Sequence, residues 1–388
     1  MLPKKISEII DNNVKITSKN LEFKKDFFGF TPSPFIGRFG YPNINIGIMS
    51  AINPDDVNEL DNPKLWASSS KKINDIIGIR SSLINSRRKS NIKTKQDKLK
   101  DLVLEVGMAS KAAEVEINLK YKPHFNLNIS QYSTVHGPNV QLDKAKLTSN
   151  TKISTKVEKA YDDTDLKATE AVYTLYKKGI DENHLSQIMS VGAVGIKTNR
   201  KLVPTRWSIT AIDNTISNEL LKEVKLLDKL DNYQLYFSGY LGNYYLILFF
   251  PEVFSYELFE CSLENSDSYS TDFETFKKRT KYSDSCEGGY YTVRLALEEK
   301  MKKLNKQATA IVFRFITKEY SVPLGVWVTR EASRRALLTK CFEFNSKKEM
   351  INMARKIALD DFDFNLDKLL LKSILYKNLK VQRKLFDF

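Results

Sequence analysis

The chain has 388 residues, 42% hydrophobic and 28% charged, enough apolar material for two folded domains and far from a low-complexity or wholly disordered polypeptide. Its formal net charge is +14, from 61 Lys and Arg against 47 Asp and Glu, which favours polyanionic partners: nucleic acid or an acidic protein surface. Three scattered cysteines and three scattered histidines argue against a disulfide framework and a zinc site, and no apolar run reaches membrane-span length, so a cytoplasmic protein without metal or cofactor is expected.

Residues 1–30 are mixed and predict one short helix with a lead-in. From Thr31 to Gly47, two short β-prone runs are punctuated by Gly37, Gly40 and Pro42, and Asn43-Ile44-Asn45-Ile46 alternates like a strand. Arg38 falls between glycines on the predicted turn, where it either reaches a phosphate or carboxylate or caps the loop. A helix is expected over 71–85. The densest basic run follows, and Arg87, Arg88, Lys89, Lys93 and Lys95 are its phosphate-contact candidates. The competing reading is a solvated connection between helices. A helix over 98–111 and a pair of strands at 114–120 and 125–130 come next. Residues 139–156 are polar with little periodicity, which places the end of a first domain, 1–150, among them.

The second domain, 151–360, begins at Asp162-Asp-Thr-Asp, a helix start with acids at the positive dipole end. Pro204 and Thr205 open a longer helix with Ile209, Ile212, Ile216, Leu220 and Val224 on one face. Arg206 and Asp213 share that apolar side, two turns apart. A charge on a core face needs a partner, so the two either belong to a buried polar network or line a cleft, with Arg294 and Arg330 as nearby candidates.

Residues 233–238 and 244–250 read as a hairpin through Tyr240-Leu-Gly-Asn, followed by a strand at 254–261 and a long polar loop over 264–287. Gly288-Gly289 opens a helix, then come strands at 308–316 and 322–328. Helices are expected from about 330, over 345–359 and over 366–379, the last belonging to a terminal segment, 361–388. Helices and hairpins mix without a βαβ rhythm, so the fold class is α+β, with antiparallel hairpins, two domains and a C-terminal peptide tail. No Ser–His–Asp set and no phosphate-binding glycine motif can be assembled. Asp162, Asp165, Glu170 and Asp213 could hold Mg²⁺ in a nuclease, but their spacing does not single out that use.

Seven blocks in order carry a resemblance: Phe35-Ile-Gly-Arg-Phe-Gly-Tyr-Pro-Asn-Ile-Asn-Ile-Gly, Ile79-Arg-Ser-Ser-Leu, Asp165-Leu-Lys-Ala-Thr-Glu-Ala, Arg200-Lys-Leu-Val-Pro-Thr-Arg-Trp-Ser-Ile-Thr-Ala, Tyr240-Leu-Gly-Asn, Gly288-Gly-Tyr-Tyr and Pro323-Leu-Gly-Val-Trp. Together they resemble the archaeal Nre DNA repair family. The resemblance implies a protein that acts in repair of DNA damage alongside nucleotide-excision repair proteins, and a C-terminal peptide that binds the sliding clamp PCNA. Many members carry an N-terminal four-cysteine zinc motif, which this sequence lacks. The tail Gln382-Arg-Lys-Leu-Phe-Asp-Phe388 resembles the clamp-binding peptide. Leu385 and Phe388, three apart, would eclipse in one 3₁₀ turn as a single apolar plug, with the Gln382 amide at its rim and Phe386 adding contact. The resulting reading is a DNA-binding repair factor tethered to PCNA. The alternative is a metal-dependent nuclease or nucleotide-processing enzyme with its cleft near Arg206 and Asp213.

Overall fold

Period-two burial begins at Asp26, where Phe27, Gly29, Thr31 and Ser33 are buried and the residues between them face outward to varying degrees. The computed structural model describes residues 23–92, 94, 97–130, 133–265 and 268–381. These divide into two compact units: the residues up to Ile216 with Ser321–Gly325, and Ser217–Tyr320 with the residues from Val326 on.

In the first unit, β1 (Asp26–Ile36), β2 (Asn43–Ala51), β3 (Ile84–Asn91) and β4 (Ala113–Leu119) are followed by a small hairpin, β5 (Asn128–Ser130) with β6 (Ser133–His136), and by β7 (Asn139–Leu147). Five of these close into a barrel in the order β1-β2-β3-β7-β4. Its neighbours are antiparallel except β3 and β7, which run parallel. Ile44, Ile46 and Ile48 of β2 and Val115 and Ile117 of β4 are completely buried. Gly47 lets β2 and β3 approach: a Cβ there would meet the Ser86 carbonyl oxygen at 2.0 Å and the Arg87 Cα at 2.7 Å.

The helix Lys98–Met108 joins β3 to β4 and packs on β1 and β2, its buried Leu99, Leu102, Val103 and Val106 following the 3.6-residue period. Helices Thr155–Asp162, Ala168–Lys177 and Glu182–Ser190 and the first turns of Thr205–Val224 complete the unit. The Thr205 hydroxyl accepts the Ile36 N–H at 3.0 Å, and the Asn183 amide donates to the Asp61 carbonyl at 3.0 Å.

The second unit is a six-stranded sheet. It contains β8 (Tyr233–Tyr240), β9 (Asn243–Phe250), β10 (Ser255–Ser262), β11 (Tyr269–Glu274), β12 (Thr309–Ile316) and β13 (Phe342–Phe344), in the order β11-β10-β12-β9-β8-β13. The β8–β9 turn has positive φ at both Leu241 (51°) and Gly242 (72°), the twist that suits a tight hairpin. β10 and β12 are parallel, and the segment between them holds β11 and the helix Glu287–Leu304. Leu246, Leu248, Phe250, Phe259, Phe313 and Phe315 form one core with Met350, Ala354 and Ala358 of the helix Lys347–Phe362 and with Leu369, Leu370, Leu375 and Tyr376 near the end of the described chain. The fold class is α+β, as the sequence predicts.

Several elements differ from expectation. The helix expected over 71–85 is Ile73–Ser81, and Arg87, Arg88 and Lys89 sit on β3 instead of a connection between helices. The strands expected at 114–120 and 125–130 both exist but do not pair with each other: β4 joins β1 and β7, and β5 joins β6. The boundary expected near 150 falls inside the first unit, because β7 closes the barrel there. Only Val140 and Leu142 of β7 are buried, too short an apolar pattern to stand out. Asp162 ends the helix Thr155–Asp162, and Asp163 accepts the Leu166 N–H at 3.0 Å in the loop beyond it. No strand forms over 322–328. The helix expected over 366–379 is two short ones, Asp367–Leu370 and Ile374–Val381.

Candidate functional site

Pairing register decides which side chains leave the barrel. Asn45 lies opposite Lys89, Gly47 opposite Arg87, and Met49 opposite Asn85. Because Ile44, Ile46 and Ile48 turn inward, this alternate set faces the other way, and Asn45, Met49 and Arg87 line a cleft of about 390 Å³. The end of β1 and the turn after it contribute Phe35, Gly37, Arg38 and Phe39. That turn is closed by the Gly37 N–H on the Asn45 carbonyl and the Asn43 N–H on the Gly40 carbonyl, both at 2.8 Å, with Gly40 at φ 81°. The β4–β7 connection adds Asn128, Ile129, Thr134 and His136, and the helical layer adds Asn183, Gln187, Thr205, Arg206 and Ile209. The hydrogen bond from Ile36 to Thr205 places the first turn of the Thr205–Val224 helix, and hence Arg206, beside the β1 end.

The cleft is cationic. Among the described residues, Arg38, Arg80, Arg87 and Arg206 line it against a single carboxylate, Asp61. Arg80 is buried. Its Nε donates to the Val135 carbonyl at 3.0 Å, its Nη1 to the Leu60 carbonyl at 3.1 Å, and Asp61 pairs with it at 2.8 Å. Burial pulls the Arg80 pKa down while Asp61 works the other way. Arg87 is half-buried over the Phe35 ring, 5.5 Å from its centroid, and makes no ion pair among the described residues. Burial lowers its pKa too, but a guanidinium stays charged at neutral pH. Burial pushes His136 down to about 4, with Arg80 and Arg87 acting in the same direction. Its Nδ1, 2.8 Å from the Gly137 carbonyl, carries the proton, so the neutral ring keeps Nε2 as an acceptor. Phe39, in the lining, is 77% exposed; beyond it in the same turn, the exposed Tyr41 ring lies 6.3 Å from that of Trp207, which is 50% exposed and next in sequence to Arg206.

Of the residues singled out in the sequence, Arg38, Arg87 and Arg206 meet here. Lys89 is exposed on the same side of β3 as Arg87. Arg88 points to the other side, where it pairs with Asp97 at 2.5 Å. Asp213 is fully buried and does not line the cleft. Arg294 and Arg330 belong to the second unit. There Arg294 pairs with Glu274 at 3.1 Å, lies 3.7 Å from Glu298 and donates to Ser217 at 2.7 Å, while Arg330 is 3.5 Å from Glu331. Lys93, Lys95, Gln382, Leu385, Phe386 and Phe388 lie outside the described residues. Asp162, Asp165 and Glu170 are exposed, and among the described residues no group of three or more His, Cys, Asp or Glu is placed to hold a metal ion. No helix among them is long and apolar enough to cross a membrane.

Sequence reasoning passed over Asn45, Arg80, Asn128, His136 and the aromatic rim. The Asn-Ile-Asn-Ile alternation was a usable signal for Asn45, since the partners of inward isoleucines must face out. His136 and Asn128 carry no such signal, because only the long β4–β7 connection brings them to the cleft.

Comparison with known proteins gives the lineage. Residues 4–267 match the family described as "Archaeal Nre, N-terminal" and residues 274–388 match "Archaeal Nre, C-terminal". A curated relative named "DNA repair protein NreA" from Haloferax volcanii is 33% identical over 79% of this chain and 77% of its own. "DNA repair protein NreB" from Archaeoglobus fulgidus is 30% identical over 94% of this chain and 92% of its own, and "DNA repair protein NreA" from the same organism is 33% identical over 84% and 83%. No solved structure matches the chain.

Proposed function

This chain belongs to the archaeal Nre family, and we propose from that premise that it is a DNA-damage repair factor that binds DNA and is tethered to the sliding clamp PCNA by residues 382–388. The relatives' names support the repair role. The observation that carries DNA binding is the cleft: four arginines against one aspartate, on a barrel face edged by exposed aromatic rings. Phosphate oxygens suit guanidinium groups, and neutralising phosphates releases counterions from the nucleic acid. The spacing of Gln382, Leu385 and Phe388 supports the clamp tether, and the family setting supports work alongside nucleotide-excision repair proteins. A metal-dependent nuclease finds no donor set among the described residues.

The test of DNA binding is a salt-dependent titration of the full chain and of Arg38→Ala/Arg87→Ala. The double variant should bind more weakly and with a shallower slope of log affinity against log salt. Unchanged affinity and slope would remove the cleft from the function.

A further inference from the structure

We infer that the cleft takes single-stranded DNA, with one unstacked nucleotide seated in it and neighbouring bases stacked on the aromatic rim. The inference rests on the DNA-binding reading above and narrows its substrate.

The barrel plan is the first support. Five strands close in the order β1-β2-β3-β7-β4, with a helix between the third and fourth barrel strands. Five-stranded Greek-key barrels of the oligonucleotide- and oligosaccharide-binding type take their ligands on the face of the second and third strands and on the loops joining strands one to two and four to five. In this chain those are β2 and β3, the turn over 37–42 and the β4–β7 connection, and all of them line the cleft. The excess of arginine selects a polyanion over a neutral oligosaccharide.

The chemistry of the lining selects a free base over a paired one. A cleft of about 390 Å³ falls in the range of small-molecule pockets, roughly 300–1,000 Å³, which fits a nucleotide better than a duplex. Asn128 and Asn139 are tied to each other, but the side-chain amides of Asn45 and Gln187 make no hydrogen bond among the described residues. With the Nε2 acceptor of His136, they offer donors and acceptors of the kind a base edge presents once its Watson–Crick partner is gone. Phe35 and Ile209 supply apolar walls, and Arg38 and Arg206 supply cations for the flanking phosphates. Phe39 in the lining, with Tyr41 and Trp207 beyond it, are large exposed rings. Stacking on such rings needs a base face, which a single strand exposes and a continuous duplex hides.

The test measures fluorescence anisotropy of the full chain with a labelled single-stranded DNA oligomer, a blunt duplex of the same sequence and the matching RNA. Single-stranded DNA should bind at least tenfold more tightly than the duplex and more tightly than the RNA. Phe39→Ala and Trp207→Ala should each weaken it by roughly 5- to 150-fold, the range of base–aromatic stacking, at unchanged melting temperature. Phe28→Ala removes an exposed ring of β1 opposite Glu116 of β4, outside the lining and not part of the Phe39–Tyr41–Trp207 group, and should have no effect. Equal or tighter duplex binding would overturn the inference while leaving DNA binding intact, and tighter RNA binding would overturn it in favour of RNA. An equal loss from Phe28→Ala would also overturn it, since the rim would then have no special role. Failure to bind any of the three would overturn the broader DNA-binding reading instead.

Discussion

Arg87 and Arg88 are adjacent in sequence and have opposite surroundings. A strand turns consecutive side chains to opposite faces, so Arg87 enters the cleft and Arg88 meets Asp97. Burial works to raise the Asp97 carboxyl, but the Ser90 hydroxyl, the Leu99 N–H and Arg88 together hold it below the usual range. Composition alone marked both arginines as phosphate contacts, because it carries no face. Arg87→Ala should therefore weaken DNA binding and leave the melting temperature nearly unchanged, while Arg88→Ala should leave DNA binding nearly unchanged. Titration and thermal denaturation of the two variants side by side check this. The second unit holds a different kind of charge. Burial pushes Glu298 up to about 8 against the opposing pull of Arg294, with Glu274 adding to the rise. Between about 4.5 and 8 the native state keeps a proton that the unfolded chain releases, so stability falls as pH rises through that window and levels off above it. Glu298→Gln cannot ionise and should show a smaller fall in melting temperature between pH 6 and pH 9. Parallel curves for the two proteins would show that Glu298 is already ionised at pH 6.

At the level of elements, legibility followed burial. The β8–β9 hairpin, β12 and the helix Glu287–Leu304 were readable because both faces or a full stripe are apolar. β3 and β7 were hidden, since a barrel strand with one outward face can carry charge there, and Ser86-Arg-Arg-Lys looks like a loop when its inward partners are few and small. The cleft was thus half legible: Arg38 and Arg206 stood out, but nothing local could assign them to a barrel closed by parallel pairing of distant strands. Gly47 tests that closure. Gly47→Ala would put a methyl group 2.0 Å from the Ser86 oxygen, so β2 and β3 must separate, with a loss of about 1–3 kcal/mol of stability. Denaturant unfolding measures that loss, and a DNA titration at temperatures where the variant is folded should find affinity reduced, because Arg87 rides on the displaced strand. The terminal helix Ile374–Val381 has its own anchor. The Glu257 carboxylate accepts the N–H groups of Ile374 at 3.0 Å and Leu375 at 3.1 Å and the Ser373 hydroxyl, at the positive end of the helix. Glu257→Ala strands those donors and should cost about 1–3 kcal/mol, with early hydrogen exchange at Leu375 and Tyr376.

For the whole molecule, the net charge and the binding contacts make separate predictions. A charge of +14 attracts any polyanion at low salt, but the salt slope counts phosphates neutralised in the complex. Arg38, Arg87, Arg206 and the adjacent Lys89 are the cations at the cleft that would contact phosphate, while Arg80 is buried and paired with Asp61. Four contacts give a single-strand slope of about −2.8. A much steeper slope would mean that the basic surface binds broadly and the cleft is incidental. The proposed clamp peptide would be a second, separable contact. Leu385 and Phe388 would fill one pocket on PCNA as neighbours in a single turn, with Gln382 at the rim, and a short plug of this kind gives modest affinity by itself. The value of such a tether would lie in concentration: once docked, the chain would meet DNA at the effective concentration set by the tether, which multiplies two weak contacts without any new one. Leu385→Ala/Phe388→Ala should therefore abolish calorimetric binding to PCNA and leave affinity for free DNA unchanged, yet weaken association with clamp-loaded DNA by more than tenfold. If the variant binds PCNA as the unaltered chain does, residues 382–388 are not the tether. If it loses PCNA without losing clamp-loaded DNA, the two contacts are not used together.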